Sequence, residues 1–233
     1  SKRYTQSLIR IKEWVPAAPV IDNQGLAKLF IVGPSRSGKS SLEHILCKSS
    51  QVKPLFEAVN YSSLSHADIN ETDLSDLLFD RIFSYGEEEL LLQGYRVVTS
   101  ANPASVFYAD YFVDMLPNAY FLVVRRDTQD LSAEIFTTEY NARTRNYYSH
   151  NKNAISNYLS VYKEICGVLQ SKVPDRCISV NFDDIIGSPE NALKRIGELV
   201  SQRFDVGSRN KRSTMLESAS IFRYHFAKMS GED

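Results

Sequence analysis

The sequence has few of the residues that mark several large classes of protein. It holds three cysteines, Cys47, Cys166 and Cys177, an odd number without the spacing of a metal knuckle, so we expect free thiols in a reducing compartment. No apolar run approaches the roughly 18 residues that cross a bilayer, and no signal-peptide core follows the first residues, which predicts a soluble, cytoplasmic protein without a membrane span. The formal net charge of -1 offers no overall attraction to nucleic acid, so any anion site must be built locally.

The length and composition predict one folded unit. A chain of 233 residues with 43% hydrophobic content can bury one substantial core, and we see no repeat or low-complexity tract. We therefore predict a single domain over residues 1–233, with residues 1–24 leading into its first strand. A chain that begins at Ser1 is also consistent with a fragment of a longer protein.

The most informative stretch is Leu29–Ser41, LFIVGPSRSGKSS. Its four leading apolar residues predict a buried strand, and the spacing that follows satisfies G-x-x-x-x-G-K-[ST]. Gly33 and Gly38 permit turns that aim backbone N–H groups at an anion, Lys39 adds positive charge, and the predicted helix Ser40–Cys47 favours an anion at its N-terminus. We call residues 33–40 the phosphate loop. The alternative is a tight strand-to-helix turn with incidental serine and lysine.

Strands and helices alternate along the chain. Strands are predicted at 29–32, 52–56, 95–99, 120–124 and 177–182. Helices are predicted weakly at 1–14, then at 40–47, 67–89, 107–116, 131–169 with an interruption near Asn146, and after Pro189. This order predicts an α/β fold of the P-loop type, in three layers, with a central mainly parallel sheet flanked by helices. Loops 33–40, 99–103 and 125–130 would then meet at the carboxyl ends of the strands, where ligands bind.

Three segments carry the motifs of one known family. Ser35–Leu46 is similar to the pattern P-R-S-G-T-T-L-L-E-x-I-L, and Val52 and Glu57 fall at the matching downstream spacing. Leu116–Asp130 is similar to a strand that leads into R-[DN]-P-x-D, and Ile178–Glu190 to a late segment that is chiefly architectural. In these motifs the chain resembles the sulfotransferases that use 3'-phosphoadenylyl sulfate, especially the tyrosylprotein and tetratricopeptide-linked bacterial branch.

The resemblance implies a reaction and a set of site residues. It implies transfer of a sulfuryl group from 3'-phosphoadenylyl sulfate to a hydroxyl on a carbohydrate, peptide or small metabolite, with adenosine 3',5'-bisphosphate as the product and no metal. It implies that Arg126 binds the 3'-phosphate of the donor and that Glu57 is the base, although Glu57 also fits an exposed loop carboxylate. The predicted donor-binding residues are Arg36, Ser37, Gly38, Lys39, Ser40, Ser41, Arg126, Ser132, Glu134, Arg212, Ser218 and Arg223, and the predicted catalytic residues are Glu57 and Lys39.

The sequence departs from the family pattern in three places. Lys39-Ser40 replaces a Thr-Thr pair, Ala101 stands where a lysine would steady the leaving phosphate, and Glu134 replaces a serine eight residues after Arg126. A carboxylate at that place should repel a 3'-phosphate. From spacing we hypothesise that Lys39 substitutes for the missing lysine and Ser132 for the missing serine.

The late donor contact has two candidates. Either Arg212 with its neighbouring Ser213, or Ser218 with Arg223, matches a serine and a basic residue near the donor. The basic run Arg209, Lys211 and Arg212 fits a solvated surface equally well.

The sequence also fits two other functions. A P-loop kinase or NTPase would use Mg-ATP through Gly33–Ser40, with Lys39 on the phosphates and Ser40 on the metal. A catalytically silent sulfotransferase-like module would bind a ligand or partner, and Ala101 and Glu134 favour it. The aromatic cluster Tyr140, Tyr147, Tyr148, Tyr158 and Tyr162 fits either an acceptor cleft or simple helix packing. Neither the acceptor nor the oligomeric state follows from the sequence.

Overall fold

A five-stranded parallel sheet lies at the centre of the computed structural model, which describes residues 2–18, 25–55, 57, 87–138, 140 and 147–201. The strands are β1 Ala27–Val32, β2 Val52–Pro54, β3 Val97–Ser100, β4 Ala119–Arg125 and β5 Cys177–Asn181. They lie in the order β2-β3-β1-β4-β5, and every neighbouring pair is parallel. All five strands were predicted from the sequence, and their arrangement confirms the α/β fold.

Helices connect the strands. The α-helices are α1 Lys2–Glu13, α2 Lys39–Leu46, α3 Glu87–Leu92, α4 Ala109–Met115, α5 Thr128–Thr137, α6 Lys152–Lys172, α7 Phe182–Gly187 and α8 Pro189–Leu199. Short 3-10 helices span Pro103–Tyr108, Tyr147–His150 and Pro174–Arg176. Within the described ranges, no helix has the length and apolar character needed to cross a membrane.

The sheet separates two hydrophobic clusters, one on each face. Along β1 the side chains of Phe30 and Val32 pack with residues of α1, α4, α5 and α6, whereas those of Leu29 and Ile31 pack with residues of α2, α7 and α8. This alternation follows from the two-residue period of a strand. Because both faces of the sheet are covered, β1 is buried along its whole length. All of its residues are apolar except Lys28, which pairs with Glu87. The predicted three-layer arrangement is confirmed.

Several predicted boundaries differ from the observed ones. The predicted helix 107–116 is a 3-10 helix followed by α4, because Pro103 and the Asn102 cap, whose side chain accepts the Ala104 N–H, start the turn earlier. The predicted helix 131–169 is two helices, α5 and α6, and the expected interruption is confirmed. Most of the predicted helix 67–89 lies outside the described residues; its last part belongs to α3.

The three cysteines are unpaired, as predicted. Burial raises the pKa of the Cys47 thiol to about 11 and that of Cys177 to about 12. Burial also raises the pKa of Cys166 far above neutral pH. The thiols therefore stay protonated near neutral pH, where a thiol is a poor nucleophile and a poor metal ligand.

Candidate functional site

The phosphate loop joins the end of β1 to the start of α2. Its tight course requires a glycine at each end. Gly38 has φ of 97°, and a Cβ there would lie 2.2 Å from Cδ2 of Phe182. A Cβ on Gly33 would lie 2.9 Å from the Val124 carbonyl oxygen and 2.4 Å from Oγ of Ser37. Arg36 also adopts a left-handed conformation, with φ of 67°, which turns the local backbone as an anion-binding loop requires.

Tyr162 of α6 anchors the beginning of the phosphate loop. Its hydroxyl accepts the Gly33 N–H at 2.8 Å and donates to the Pro103 carbonyl at 2.9 Å. Burial raises the pKa of Tyr162 well above its ordinary value, so the hydroxyl keeps the proton that it donates. One buried side chain thus fixes the loop after β1 against the loop after β3. The sequence placed Tyr162 in an aromatic cluster but gave no sign of this contact.

Tyr140, Tyr148 and Tyr158 of that cluster lie near Tyr162 and the phosphate loop, and the Tyr147 side chain lies outside the described part of the chain. Tyr148 stacks on Tyr158 with ring centroids 4.1 Å apart, and Tyr158 meets Tyr162 edge to face. The Tyr140 hydroxyl lies 2.9 Å from Oγ of Ser35 within the phosphate loop. Tyr158 therefore contributes ring packing, whereas Tyr162 and Tyr140 each form a hydrogen bond with the phosphate loop.

Lys39 is buried, with 6% of its surface exposed, and its ammonium folds back onto the phosphate loop. Nζ donates to the Pro34 carbonyl at 2.8 Å. Burial lowers the pKa of Lys39 to about 8; the negative charge of Glu57 opposes this shift, and the positive charge of Arg36 adds to it. The two predicted catalytic residues therefore interact electrostatically. Glu57 itself is exposed.

Arg126 follows the end of β4 and lies beside the phosphate loop. Its Nη1 donates to the Arg36 carbonyl at 3.0 Å, and its Cζ lies 4.7 Å from the centre of the Phe182 ring. Its Nη2 donates to Oε1 of Glu134 in a salt bridge. The side chains of Arg126 and Glu134 are 16% and 18% exposed, so this ion pair is largely removed from solvent.

The other predicted residues occupy varied positions around the loop. The Ser37 hydroxyl is fully buried and has no hydrogen-bond partner among the described residues. Ser40 and Ser41 lie in the first turn of α2, where backbone N–H groups lack partners within the helix. The Arg36 side chain is exposed and lies over the Tyr140 ring. Arg212, Ser218 and Arg223 lie outside the described residues.

Ser132 and Ala101 bear on the departures from the family pattern. Oγ of Ser132 donates to the Thr128 carbonyl of its own helix at 2.8 Å, a contact typical of helical serine. Ala101 follows β3 and is buried with 2% exposure, so this strand end offers no cation at that position. A positive charge for the region inside the loop comes from Lys39.

Phe182 is a site residue that the sequence did not reveal. It follows β5 at the edge of the sheet where the phosphate loop lies, and its ring contacts both Gly38 and the Arg126 guanidinium. The late segment was interpreted as chiefly architectural. Its place directly after a strand was the available signal, since ligand sites in parallel sheets lie at the carboxyl ends of strands.

The sheet order and the strand–loop–helix unit define the class of the protein: an α/β protein with a glycine-bounded loop suited to an anionic ligand. A family model described as "Sulfotransferase family" matches residues 28–205, and the chain belongs to the sulfotransferase family. A search of curated protein sequences found no match. The family assignment supports a transferase that moves sulfuryl groups.

Solved structures with this fold include several sulfotransferases. The sulfotransferase domain of the curacin biosynthetic pathway aligns with a TM-score of 0.53 at 12% identity, covering 81% of this chain and 80% of that one. The sulfotransferase domain of the Synechococcus PCC 7002 olefin synthase aligns with a TM-score of 0.50 at 15% identity, covering 87% and 83%. Sulfotransferase STF9 from Mycobacterium avium aligns with a TM-score of 0.50 at 11% identity, covering 100% and 73%. At these identities the alignments show the fold.

Proposed function

We propose that the protein transfers a sulfuryl group from 3'-phosphoadenylyl sulfate to a hydroxyl-bearing acceptor. The observation that carries the proposal is the presence of two cationic positions at one sheet edge: Lys39 inside the phosphate loop, where Nζ donates to the Pro34 carbonyl, and Arg126 at its rim, where Nη1 donates to the Arg36 carbonyl. A phosphosulfate nucleotide carries two separated anionic groups, which matches two separated cations. Family membership supports the same reaction class.

The residues present fit such a donor in most respects. The fully buried Ser37 hydroxyl without a partner, the first-turn N–H groups of α2 and the Lys39 ammonium would hold the 5'-phosphosulfate. The Arg126 fork would hold the 3'-phosphate. A Cβ at Gly38 would meet the Phe182 ring, so the loop keeps its backbone close to that ring. The Glu134 carboxylate, which pairs with Arg126, opposes a further anion at that guanidinium.

In the proposed reaction the protein forms no covalent bond with the sulfuryl group. The donor supplies a sulfuryl group already activated by its bond to phosphate. Glu57 would accept the proton of the acceptor hydroxyl as the new oxygen–sulfur bond forms and the bond between sulfur and the 5'-phosphate oxygen breaks. The Lys39 ammonium would stabilise the charge that this phosphate oxygen gains, the role that Ala101 cannot perform.

A phosphate-transferring enzyme is the second candidate, because Gly33–Ser40 satisfies the complete nucleotide-binding pattern with Lys39 and Ser40. That function needs an acidic residue near the loop to support Mg²⁺. Asp127 is the acidic residue nearest the end of β4, but its Oδ1 accepts the Gln129 N–H at 2.7 Å and the Asp130 N–H at 3.1 Å as the cap of α5. These two bonds lower the pKa of Asp127 and engage its carboxylate in capping. We therefore favour sulfuryl transfer.

Calorimetric titration tests the donor. The wild-type protein is titrated with adenosine 3',5'-bisphosphate and, separately, with ATP plus Mg²⁺. We expect preference for the bisphosphate, and Arg126→Ala is expected to weaken bisphosphate binding at least about tenfold through loss of a charge-assisted contact. Arg125→Ala is the matched control, because the neighbouring Arg125 is exposed and donates to Gln170. Preference for Mg-ATP would instead establish the second candidate.

The affinity for adenosine 3',5'-bisphosphate should depend on pH through Lys39. Its pKa of about 8 means that the ammonium is charged below pH 8 and loses its proton as the pH rises. The neutral amine cannot attract an anion, so we expect affinity to be highest near pH 7 and to fall by up to about tenfold per pH unit above 8. Titrations from pH 7 to 9.5 measure this. In the Lys39→Met variant, affinity should not decline over this pH range. A wild-type affinity that stays constant to pH 9.5 would contradict the prediction.

A further inference from the structure

The Arg126 guanidinium already holds an anion supplied by the chain itself. Glu134 lies on α5, the helix that starts directly after the loop carrying Arg126, and its carboxylate accepts from Nη2. With 16% and 18% exposure, neither partner has much solvent to screen the other. The Glu134 carboxylate therefore occupies part of the donor fork that an incoming phosphate would use.

Arg126 has two further contacts besides its salt bridge with Glu134. Its Nη1 remains bonded to the Arg36 carbonyl, and its guanidinium face rests on the Phe182 ring. These two contacts come from two other elements, the phosphate loop and the start of α7. Removal of the Glu134 charge would thus leave the guanidinium close to the phosphate loop, with Nη2 open to a different anion.

A phosphate on the nucleotide would meet two opposed effects at this position. The guanidinium fork matches the oxygens of a phosphate and attracts it. The Glu134 carboxylate repels it and competes for the same N–H groups, and like charges at a partly buried site act with less screening than in water. The attraction and the repulsion fall on the 3'-phosphate, because the 5'-phosphosulfate would lie in the phosphate loop.

We infer that Glu134 is a specificity-determining residue: an internal competitor for Arg126 that limits how strongly the site selects nucleotides bearing a 3'-phosphate. This inference rests on the proposed donor site. The two ends of the nucleotide would then be recognised separately. The phosphate loop would bind the 5' end without Glu134, and the balance between Arg126 and Glu134 would set how much the 3'-phosphate contributes to affinity.

The test compares two nucleotides that differ only in the 3'-phosphate. Adenosine 3',5'-bisphosphate and adenosine 5'-phosphate are titrated into the full chain as wild type and as Glu134→Gln, which removes the charge and keeps the shape. We expect Glu134→Gln to tighten bisphosphate binding by about tenfold or more and to change adenosine 5'-phosphate binding less than about twofold. The ratio of the two dissociation constants isolates the 3'-phosphate.

The controls address charge and folding. Asp130→Asn changes the net charge equally from an exposed position on the same helix and should leave both affinities as in wild type. Glu134→Ala provides a second neutral variant, and thermal unfolding checks that each variant is folded. An equal gain for both nucleotides, or no gain, in folded Glu134→Gln and Glu134→Ala would overturn the inference and leave the donor site standing. Failure of folded wild type and both variants to bind either nucleotide would overturn the proposed donor site and the inference with it.

Discussion

Lys39→Met is expected to slow the conversion of 3'-phosphoadenylyl sulfate to adenosine 3',5'-bisphosphate by about 10²- to 10³-fold, the usual cost of removing one preorganised group that stabilises developing charge. The physical reason is that Lys39 supplies the buried positive charge in the phosphate loop. Ala101 leaves the end of β3 without a cation, and Lys39 lies inside the loop with its ammonium 2.8 Å from the Pro34 carbonyl. Without that ammonium, the leaving phosphate would gain charge in a partly buried site.

The fold should tolerate this change. Methionine fills a volume similar to that of lysine, and the substitution removes a buried charge whose desolvation lowers the pKa of Lys39 to about 8. The lost hydrogen bond to Pro34 offsets part of that gain, so we expect the free energy of unfolding to change by no more than about 1 kcal/mol. Large loss of rate with little loss of stability is the signature of a residue used for chemistry.

The measurement follows release of adenosine 3',5'-bisphosphate by chromatography, with a panel of carbohydrate, peptide and small hydroxyl acceptors. Lys48→Met is the matched control, because Lys48 is exposed just beyond the end of α2 and carries the same charge. It should retain the wild-type rate. A Lys39→Met protein that turns over within about threefold of wild type would show that the transition-state charge is stabilised elsewhere.

Local sequence patterns predicted most of the secondary structure. The apolar run before Gly33 predicted β1 because a strand covered on both faces is rich in apolar side chains, although β1 begins at Ala27, two residues before the predicted start. β-Branched and aromatic residues bounded by turn residues predicted β4. Helix boundaries were less accurate around Pro103, where a side-chain cap and a proline start a 3-10 helix that periodicity does not reveal.

Contacts between distant segments were not predictable in this way. Tyr162 and Gly33 are 129 residues apart, and their hydrogen bond depends on how α6 packs against the sheet. Phe182 reaches Gly38 and Arg126 because β5 and β4 are neighbours, which strand order alone determines. The sequence does place Glu134 eight residues after Arg126 and predicts repulsion of a phosphate. It does not predict that the carboxylate turns back to pair with Arg126.

The roles of the individual site residues, the single domain over residues 1–233 and the branch within the family stay predictions. The structure adds a physical link between two of those residues, Gly38 and Arg126, through Phe182. Gly38, Phe182 and Arg126 form a continuous contact from the phosphate loop, through an aromatic ring, to the guanidinium. A substitution at Gly38 should therefore alter the position of Arg126. Gly38 is also the position where adding a single methyl group should have the largest effect on this contact.

Gly38→Ala is accordingly expected to destabilise the fold by about 2–4 kcal/mol and to weaken binding of adenosine 3',5'-bisphosphate at least about tenfold. Two effects combine. The backbone at Gly38 has φ of 97°, a conformation that alanine adopts at a cost of about 1–2 kcal/mol. The new Cβ would also lie 2.2 Å from Cδ2 and 2.5 Å from Cε2 of Phe182, so the ring must move. A displaced ring no longer supports Arg126.

Gly94 allows these two effects to be separated. It has a φ of 89°, close to that of Gly38, and a Cβ there would meet nothing within 4 Å. Gly94→Ala therefore carries the backbone strain without the clash, and should lose about 1–2 kcal/mol of stability with no change in nucleotide affinity.

In the double variant Gly38→Ala with Phe182→Ala, the strain remains and the clash is gone, so the two substitutions should cost less together than the sum of their separate effects. Chemical denaturation and calorimetry on five proteins, namely wild type, Gly38→Ala, Phe182→Ala, the double variant and Gly94→Ala, measure this. If Gly38→Ala resembled Gly94→Ala in stability and wild type in affinity, Gly38 would be a turn residue only and the ring would not couple the loop to Arg126.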